Sequence, residues 1–127
     1  CWGYNNRTCA FRVPAGSAAV TRIEHRVAGA DANPYLVAAA VLAGILHGIE
    51  TKAEAPPPID GNAYETEKPS VPKTWVEALD RFAGSEFVAD WFGEGFRRVF
   101  HAVKEGERRD FEAEVTPLEW RWYLTTV

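Results

Sequence analysis

Two segments near the start of the chain alternate between apolar and polar positions, as half-buried strands do. The apolar side chains of residues 8–14 share one face: Cys9, Phe11 and Val13. The charged side chains of residues 20–27 also share one face: Arg22, Glu24 and Arg26. A Pro-Ala-Gly-Ser connection separates the two segments. Residues 1–30 are therefore predicted to hold a short antiparallel strand pair that carries a charged face.

Residues 33–51 are predicted to form a buried helix. Asn33 is a favourable N-cap, and Pro34 occupies the first helical position, where its missing N–H costs nothing. The run from Tyr35 to Leu46 is almost wholly apolar, which favours a helix surrounded by protein. The run is too short to span a bilayer, so no membrane partner is expected.

The second half of the chain changes from a proline-rich loop to helices. Residues 53–73 hold five of the eight prolines and are predicted to be irregular. Residues 74–127 are predicted to be helical, with a break at Gly93 or Gly95. Two sequences match the capping-box pattern that starts a helix: Thr74-Trp75-Val76-Glu77 and Thr116-Pro117-Leu118-Glu119. The predicted fold class is α+β, predominantly α, with four to five helices.

Charge is distributed unevenly. The net charge is −4, which gives no reason to expect a nucleic-acid partner. Residues 1–30 nevertheless carry +3, from four arginines and one glutamate, and leave −7 for the rest. A small cationic patch in an acidic protein suits a small anion.

Cysteine and methionine usage bears on location and completeness. Cys1 and Cys9 form no CxxC or zinc spacing, which favours reduced thiols and a cytoplasmic location. The chain contains no Met, so we expect it to start inside a longer protein. His25, His47 and His101 are interpreted as packing residues, and His25 should point away from the charged face.

The charged strand face is the candidate site. Arginine binds carboxylate or phosphate through a fixed fork and stays charged at any working pH. Glu24 can pair with Arg22 and Arg26 or hold a divalent cation, and Arg12 on the neighbouring strand can join the same surface. The pattern alone favours a solvated, self-paired strand face, because exposed alternating charges are common and contribute little.

The order and spacing of several motifs resemble the C-terminal part of the glutamine synthetase catalytic domain, over essentially all of residues 1–127. The motifs are Asn5-Asn6-Arg7-Thr8, Arg12-Val13-Pro14, Arg22-Ile23-Glu24-His25-Arg26, Ala30-Asp31-Ala32-Asn33-Pro34-Tyr35-Leu36 and Glu119-Trp120-x-Trp122-Tyr123-Leu124. The run from Glu24 to Asp31 is most similar to the γ-glutamylpolyamine synthetases within that family. The resemblance implies a ligase that uses ATP and Mg or Mn to activate glutamate as γ-glutamyl phosphate and couples it to an amine.

The resemblance also implies roles for individual residues. Arg7 would contact the transferring phosphate, and Arg12 the nucleotide phosphates, with Arg22 in support. Glu24 would be a metal ligand. Arg26 would bind substrate glutamate or the reacting phosphoryl group. The family's homo-oligomers are stacked rings whose sites are completed by neighbouring subunits, and its other ligands lie upstream, so this chain is expected to be inactive alone.

Some questions stay open at this stage. The acceptor can be putrescine, a similar amine or ammonia. The family often has a basic residue just before Arg22, whereas residues 17–21 supply none. Tyr64 falls near a tyrosine that some bacterial members modify, in a setting that matches poorly. The alternative function is a non-catalytic helical assembly module or an inactive relative of the family.

Overall fold

A computed structural model of the chain describes residues 1–66 and 70–126. The chain divides into two compact units, Cys1–Pro69 and Ser70–Val127. The first unit holds the strands and the apolar helix, and the second is helical. The predicted fold class, α+β and predominantly α, is confirmed. In the described residues six α-helices form where four to five were expected, because the proline-rich segment contains a short additional one.

A small mixed sheet forms the first unit. Its strands are β1 (Trp2–Tyr4), β2 (Phe11–Val13) and β3 (Glu24–His25), in the order β1-β2-β3. The predicted antiparallel pair is β2 and β3, which is shorter than the alternating segments suggested. The third strand, β1, pairs parallel with β2 and was not predicted. Parallel neighbours usually need a connection of a dozen or more residues, and residues 5–10 are too few to suggest one.

The apolar helix α1 spans Pro34–Glu50, as its cap predicted. The side-chain oxygen of Asn33 accepts hydrogen bonds from the backbone N–H groups of Tyr35 and Leu36, at 3.0 and 3.2 Å. Within this chain, however, Ala43 is the buried residue of the helix, and Tyr35 is 84% exposed. The expected burial of α1 therefore stays a prediction about protein beyond this chain.

The two faces of the sheet have different characters. Phe11 and His25 are register partners, and their rings meet edge to face with centroids 5.5 Å apart. His25 thus lies opposite the charged face, as predicted. Together with Ile23 and the α1 residues Val41 and Ile45, they line an apolar cleft of about 790 Å³.

The proline-rich segment lies against β1. The indole N–H of Trp2 donates to the carbonyl of Pro56 at 2.6 Å, and the backbone N–H of Ile59 donates to the carbonyl of Trp2 at 2.9 Å. A four-residue helix, α2 (Ala63–Thr66), follows. Apart from α2, the described residues of the proline-rich segment form neither helix nor strand, and residues 67–69 of the predicted irregular segment lie outside the described residues.

The second unit is built from α3 (Trp75–Ala83), α4 (Glu86–Phe92), α5 (Glu94–Ala113) and α6 (Pro117–Tyr123). Phe82 packs on Phe100 with ring centroids 5.1 Å apart, and Phe100 stacks on Phe96 at 5.4 Å. Leu79 is buried on α3. The predicted break occurs at Gly93, whose φ of 86° favours glycine.

The two predicted capping boxes differ. At α6 the box is complete: Thr116 accepts from the N–H of Glu119, and Glu119 accepts from the N–H of Thr116. At α3, Thr74 accepts from the N–H of Glu77, but the Glu77 carboxylate accepts from the N–H of Lys73 instead. The prediction of a full box at Thr74 is therefore wrong in its second half.

No helix in the described part of the chain is long and apolar enough to cross a membrane.

Candidate active site

The polar face of the sheet brings Arg12 and Glu24 together. The antiparallel register places them directly opposite each other on β2 and β3. The Arg12 Nη1 donates to Glu24 Oε2 at 2.7 Å. The side chains are 18% and 26% exposed, so the pair is partly shielded from water. Opposite charges on directly paired positions stabilise such a register.

Arg22 engages the other oxygen of the same carboxylate. Its Nη2 donates to Glu24 Oε1 at 2.8 Å. The Arg12 hydrogen bond is the main reason that the pKa of Glu24 is lowered, and Arg22 adds to the effect. Glu24 is therefore held as a carboxylate between two guanidinium groups. The structure thus brings together three of the predicted site residues.

Asn5 holds the other end of the Arg12 guanidinium. The Asn5 Oδ1 accepts from Arg12 Nη2 and from the backbone N–H of Ala15, both at 3.1 Å. The φ of Asn5 is 49°, a left-handed conformation that Asn tolerates better than most residues. Asn5 was not predicted as a site residue, because nothing in strand alternation assigns a role to the residue after a strand.

Arg26 follows β3 and extends its pairing. Its backbone N–H donates to the carbonyl of Ala10 at 2.9 Å. Alternation along this extended segment places Arg26 on the same face as Glu24. Within the described residues its side chain makes no ion pair with Glu24, and it is exposed to solvent. Arg26 therefore supplies exposed positive charge at the edge of the Arg12–Glu24–Arg22 network.

Arg7 borders an open polar cleft next to this network. The cleft has a volume of about 440 Å³ and is lined by Tyr4, Asn5, Asn6, Arg7, Arg12, Ile59, Asp60 and Gly61. Two guanidinium groups thus reach one cleft from the strand and the turn that precedes it. The wall formed by residues 59–61 comes from the proline-rich segment, and no local pattern in the sequence indicates that this segment meets the arginines.

The cleft suits an anion better than a metal ion. Arg7 and Arg12 both line it, and guanidinium groups favour an anionic oxygen. In the described part of the chain, no three His, Cys, Asp or Glu side chains gather as metal ligands. One carboxylate beside two guanidinium groups does not fit a divalent cation by itself.

Comparison with known proteins places this arrangement in a family. The family model described as "Glutamine synthetase, catalytic domain" matches residues 1–123. The chain is 44% identical over 123 residues to the gamma-glutamylputrescine synthetase PuuA of Escherichia coli (strain K12), covering 97% of this chain and 26% of that protein. It is 40% identical over 120 residues to the gamma-glutamylethanolamide synthetase GlnA4 of Streptomyces coelicolor, covering 94% and 26%.

A solved structure agrees with these matches. The structure described as "Apo GmaS without ligand" superposes with a TM-score of 0.81 at 32% identity, covering 97% of this chain and 29% of that one. The chain thus spans between about a quarter and a third of the length of these relatives. The match extends over both the sheet and the helical unit, and the chain therefore belongs to the glutamine synthetase family, within the catalytic domain.

Proposed function

We propose that the complete protein is an ATP-dependent ligase that joins the γ-carboxylate of glutamate to an amine. The cleft bordered by Arg7 and Arg12 carries the proposal, because it offers fixed positive charge in a chain that belongs to this family. In the proposed reaction the γ-carboxylate oxygen attacks the terminal phosphorus of ATP and ADP leaves. The amine nitrogen then attacks the acyl carbon of γ-glutamyl phosphate, phosphate leaves, and the nitrogen loses a proton.

The arginines supply what phosphoryl transfer needs. Charge develops on the transferring oxygens, and positioned cations stabilise it more than covalent chemistry would. We assign Arg7 to the transferring phosphate, and Arg12 and Arg22 to the nucleotide phosphates. Arg26, exposed at the edge of the network, is assigned to the substrate glutamate or the reacting phosphoryl group. Glu24 holds Arg12 and Arg22 in place through hydrogen bonds of 2.7 and 2.8 Å.

Mg or Mn enters the proposal only as a cation whose ligands would come partly from Glu24 and partly from beyond the described residues. Each Glu24 oxygen accepts one hydrogen bond from an arginine, which leaves a second lone pair for another partner. Glu24 can therefore add one ligand to a cation whose other ligands come from beyond the described residues. This chain alone does not fit the metal, and we derive no step through it.

The acceptor we propose is putrescine or a similar primary amine. Two relatives are named for γ-glutamyl products of putrescine and of ethanolamine, at 44% and 40% identity. We further propose that the protein is cytoplasmic, that its subunits assemble as stacked rings, and that this chain alone is inactive. Chain coverage of about a quarter of those relatives supports the last point.

A phosphate-release assay on the complete protein tests the proposal. With ATP and glutamate, we expect phosphate release that depends on added amine and is fastest with putrescine, compared with ethanolamine and ammonia. Arg7→Ala should lower the rate about a hundredfold or more, as loss of a donor to transition-state charge does. The alternative, a non-catalytic assembly module, predicts no phosphate release with any of the three amines.

A further inference from the structure

We infer that Asn6 is a positioning residue for Arg7, acting by clamping the turn that carries Arg7 onto the opposite wall of the cleft. This inference rests on the proposed function, in which Arg7 contacts the transferring phosphate. Asn6 itself lies beside Arg7 in the chain and also lines the cleft. The clamp is defined as the side chains of Asn6 and Thr8 together with the backbone of residues 59–63.

All the hydrogen-bonding capacity of the Asn6 amide is used. Its Nδ2 donates to the carbonyl of Ile59 at 3.0 Å and to the carbonyl of Gly61 at 2.8 Å. Its Oδ1 accepts from the backbone N–H of Thr8 at 3.0 Å and from the Thr8 hydroxyl at 2.6 Å. An amide has two N–H donors and an oxygen with two lone pairs, so each is matched here.

Thr8 makes a second tie to the same wall. Its hydroxyl oxygen accepts from the backbone N–H of Ala63 at 2.9 Å while the hydroxyl donates to Asn6. The residues on both sides of Arg7 are therefore fixed to a segment more than 50 positions later in the chain. Ala63 is buried at 3% exposure, which shields this end of the clamp from water.

The clamp sets the geometry of the cleft. Residues 59–61 form one wall, and Arg7 and Arg12 border the same space. Because the clamp holds the Arg7 turn against that wall, the position of the Arg7 backbone depends on Asn6. The Arg7 side chain is exposed, so it has little packing of its own to fix it. A displacement of about 1 Å at such a site can cost about a hundredfold in rate.

Asn6→Asp is the sharpest variant. The substitution preserves size and keeps the oxygen that Thr8 uses, but it replaces the two N–H donors with an acceptor facing two carbonyl oxygens. We expect kcat of the complete protein to fall about a hundredfold. Asn33→Asp is the matched control, because Asn33 is an N-cap that only accepts and Asp caps equally well. Its rate should stay within about twofold of the parent.

A double-mutant cycle separates positioning from a general structural role. If Asn6 acts through Arg7, Asn6→Asp should cost less than about threefold in an Arg7→Ala background, because the two losses are not additive. The inference would be overturned if Asn6→Asp lowered kcat by the same factor in both backgrounds, or if Asn6→Asp alone kept full activity.

Thr8 provides a second test if Asn6→Asp does not fold. Thr8→Val keeps the shape and removes the hydroxyl, whereas Thr8→Ser keeps the hydroxyl. We expect Thr8→Val to lose activity and Thr8→Ser to retain it. Equal activity of the two variants would count against the clamp.

Hydrogen exchange distinguishes this inference from the proposed function. Mass spectrometry of the complete protein should show faster amide exchange in residues 59–63 for Asn6→Asp and unchanged exchange for Asn33→Asp. Unchanged exchange in both would overturn the clamp even if the ligase activity is confirmed. If the parent protein shows no ligase activity, faster exchange in Asn6→Asp than in the parent would still support the clamp, but it would reject a role for the clamp in this reaction.

Discussion

The two units of the chain are stabilised by contacts of different reach. In the first unit, side chains on one turn bond to backbone groups 53 to 55 positions away, from Asn6 and Thr8 to residues 59–63. In the second unit, ion pairs join residues three or four apart, as in Arg81 with Glu77 and Lys104 with Glu107. A row of phenylalanine rings packs its helices together.

This difference in reach separates the tasks of the two units. Ion pairs between residues three or four apart stabilise a helix at little entropic cost, because the helix already places those residues side by side. Contacts across more than 50 residues order a long loop first, at an entropic cost that grows with loop length. The first unit nevertheless forms such long-range contacts around Arg7 and Arg12, where the proposed chemistry requires fixed positive charge.

Arg26→Ala should have the largest effect if the first unit holds the catalytic charge. Removing a donor that stabilises transition-state charge costs about 100- to 1,000-fold in rate. The matched control is Arg98→Ala, an exposed arginine of α5 in the helical unit, for which we expect near-normal turnover. Steady-state assays of the complete protein with glutamate, ATP and putrescine would measure both. Equal turnover of the two variants would refute the role assigned to Arg26.

Leu79→Ala should have the next largest effect, and it acts on stability. Leu79 is 6% exposed in the helical unit, and its replacement by Ala should cost about 2–3 kcal/mol of unfolding free energy. Leu42→Ala is the comparison in α1, where Leu42 is 60% exposed, and should cost under about 0.5 kcal/mol in this chain. Urea unfolding would measure both.

Leu42→Ala also tests whether protein outside this chain covers α1 in the complete protein. If protein outside this chain surrounds α1, Leu42→Ala should lower the melting temperature of the complete protein more than that of the chain. An equally small shift in both would contradict the predicted burial of the helix.

Local sequence signals predicted the helices well. Asn33 and Pro34 identified the start of α1, and the two glycines at positions 93 and 95 indicated a break, which the structure places at Gly93 between α4 and α5. Each of these signals acts within about one turn of helix, so neighbouring residues suffice to interpret it. Near the end of α5, Arg108 pairs with Glu105 and with Glu112, which supports the helix up to Ala113.

Long-range contacts explain what the sequence did not predict. Strand alternation placed Arg12 and Glu24 on one sheet surface, and the structure brings them into contact. The same alternation could not show that residues 59–61 would face Arg7, because that contact depends on Asn6 bonding across the whole first unit. Part of the site was therefore predictable from local pattern, while its far wall and its clamp were not.

Thr116→Ala should have a moderate effect on the helical unit. A helix N-cap of this kind contributes about 1 kcal/mol, and at Thr116 the reciprocal bond from Glu119 is also present. Thr74→Ala should cost less, because Glu77 bonds the N–H of Lys73 and the cap at α3 is incomplete. Urea unfolding of the two variants would compare them. A larger loss at Thr74 would show that the complete box adds nothing here.

Glu24→Gln should have the smallest effect on stability, and its pH dependence has a definite sign. Arg12 lowers the pKa of Glu24 below its usual value of about 4.3, with a further contribution from Arg22. A lowered pKa in the folded state contributes stability above the unfolded pKa, and this contribution is lost as pH falls through the folded value. Because protonated Glu24 resembles Gln, the parent and Glu24→Gln should differ at pH 7 and converge as the pH falls below about 4.

Glu105→Gln is the matched variant in the helical unit. Arg108 lowers the pKa of Glu105 in the same way, so its stability should follow the same pH course. The two variants should differ in activity, because Glu24 holds Arg12 and Arg22 at the cleft whereas Glu105 joins residues within one helix. Urea unfolding between pH 7 and pH 3, together with turnover of the complete protein at pH 7, would measure both properties. Similar turnover of the two variants would mean that the Glu24 ion pairs serve folding alone, and the division of tasks between the two units would fail at its central residue.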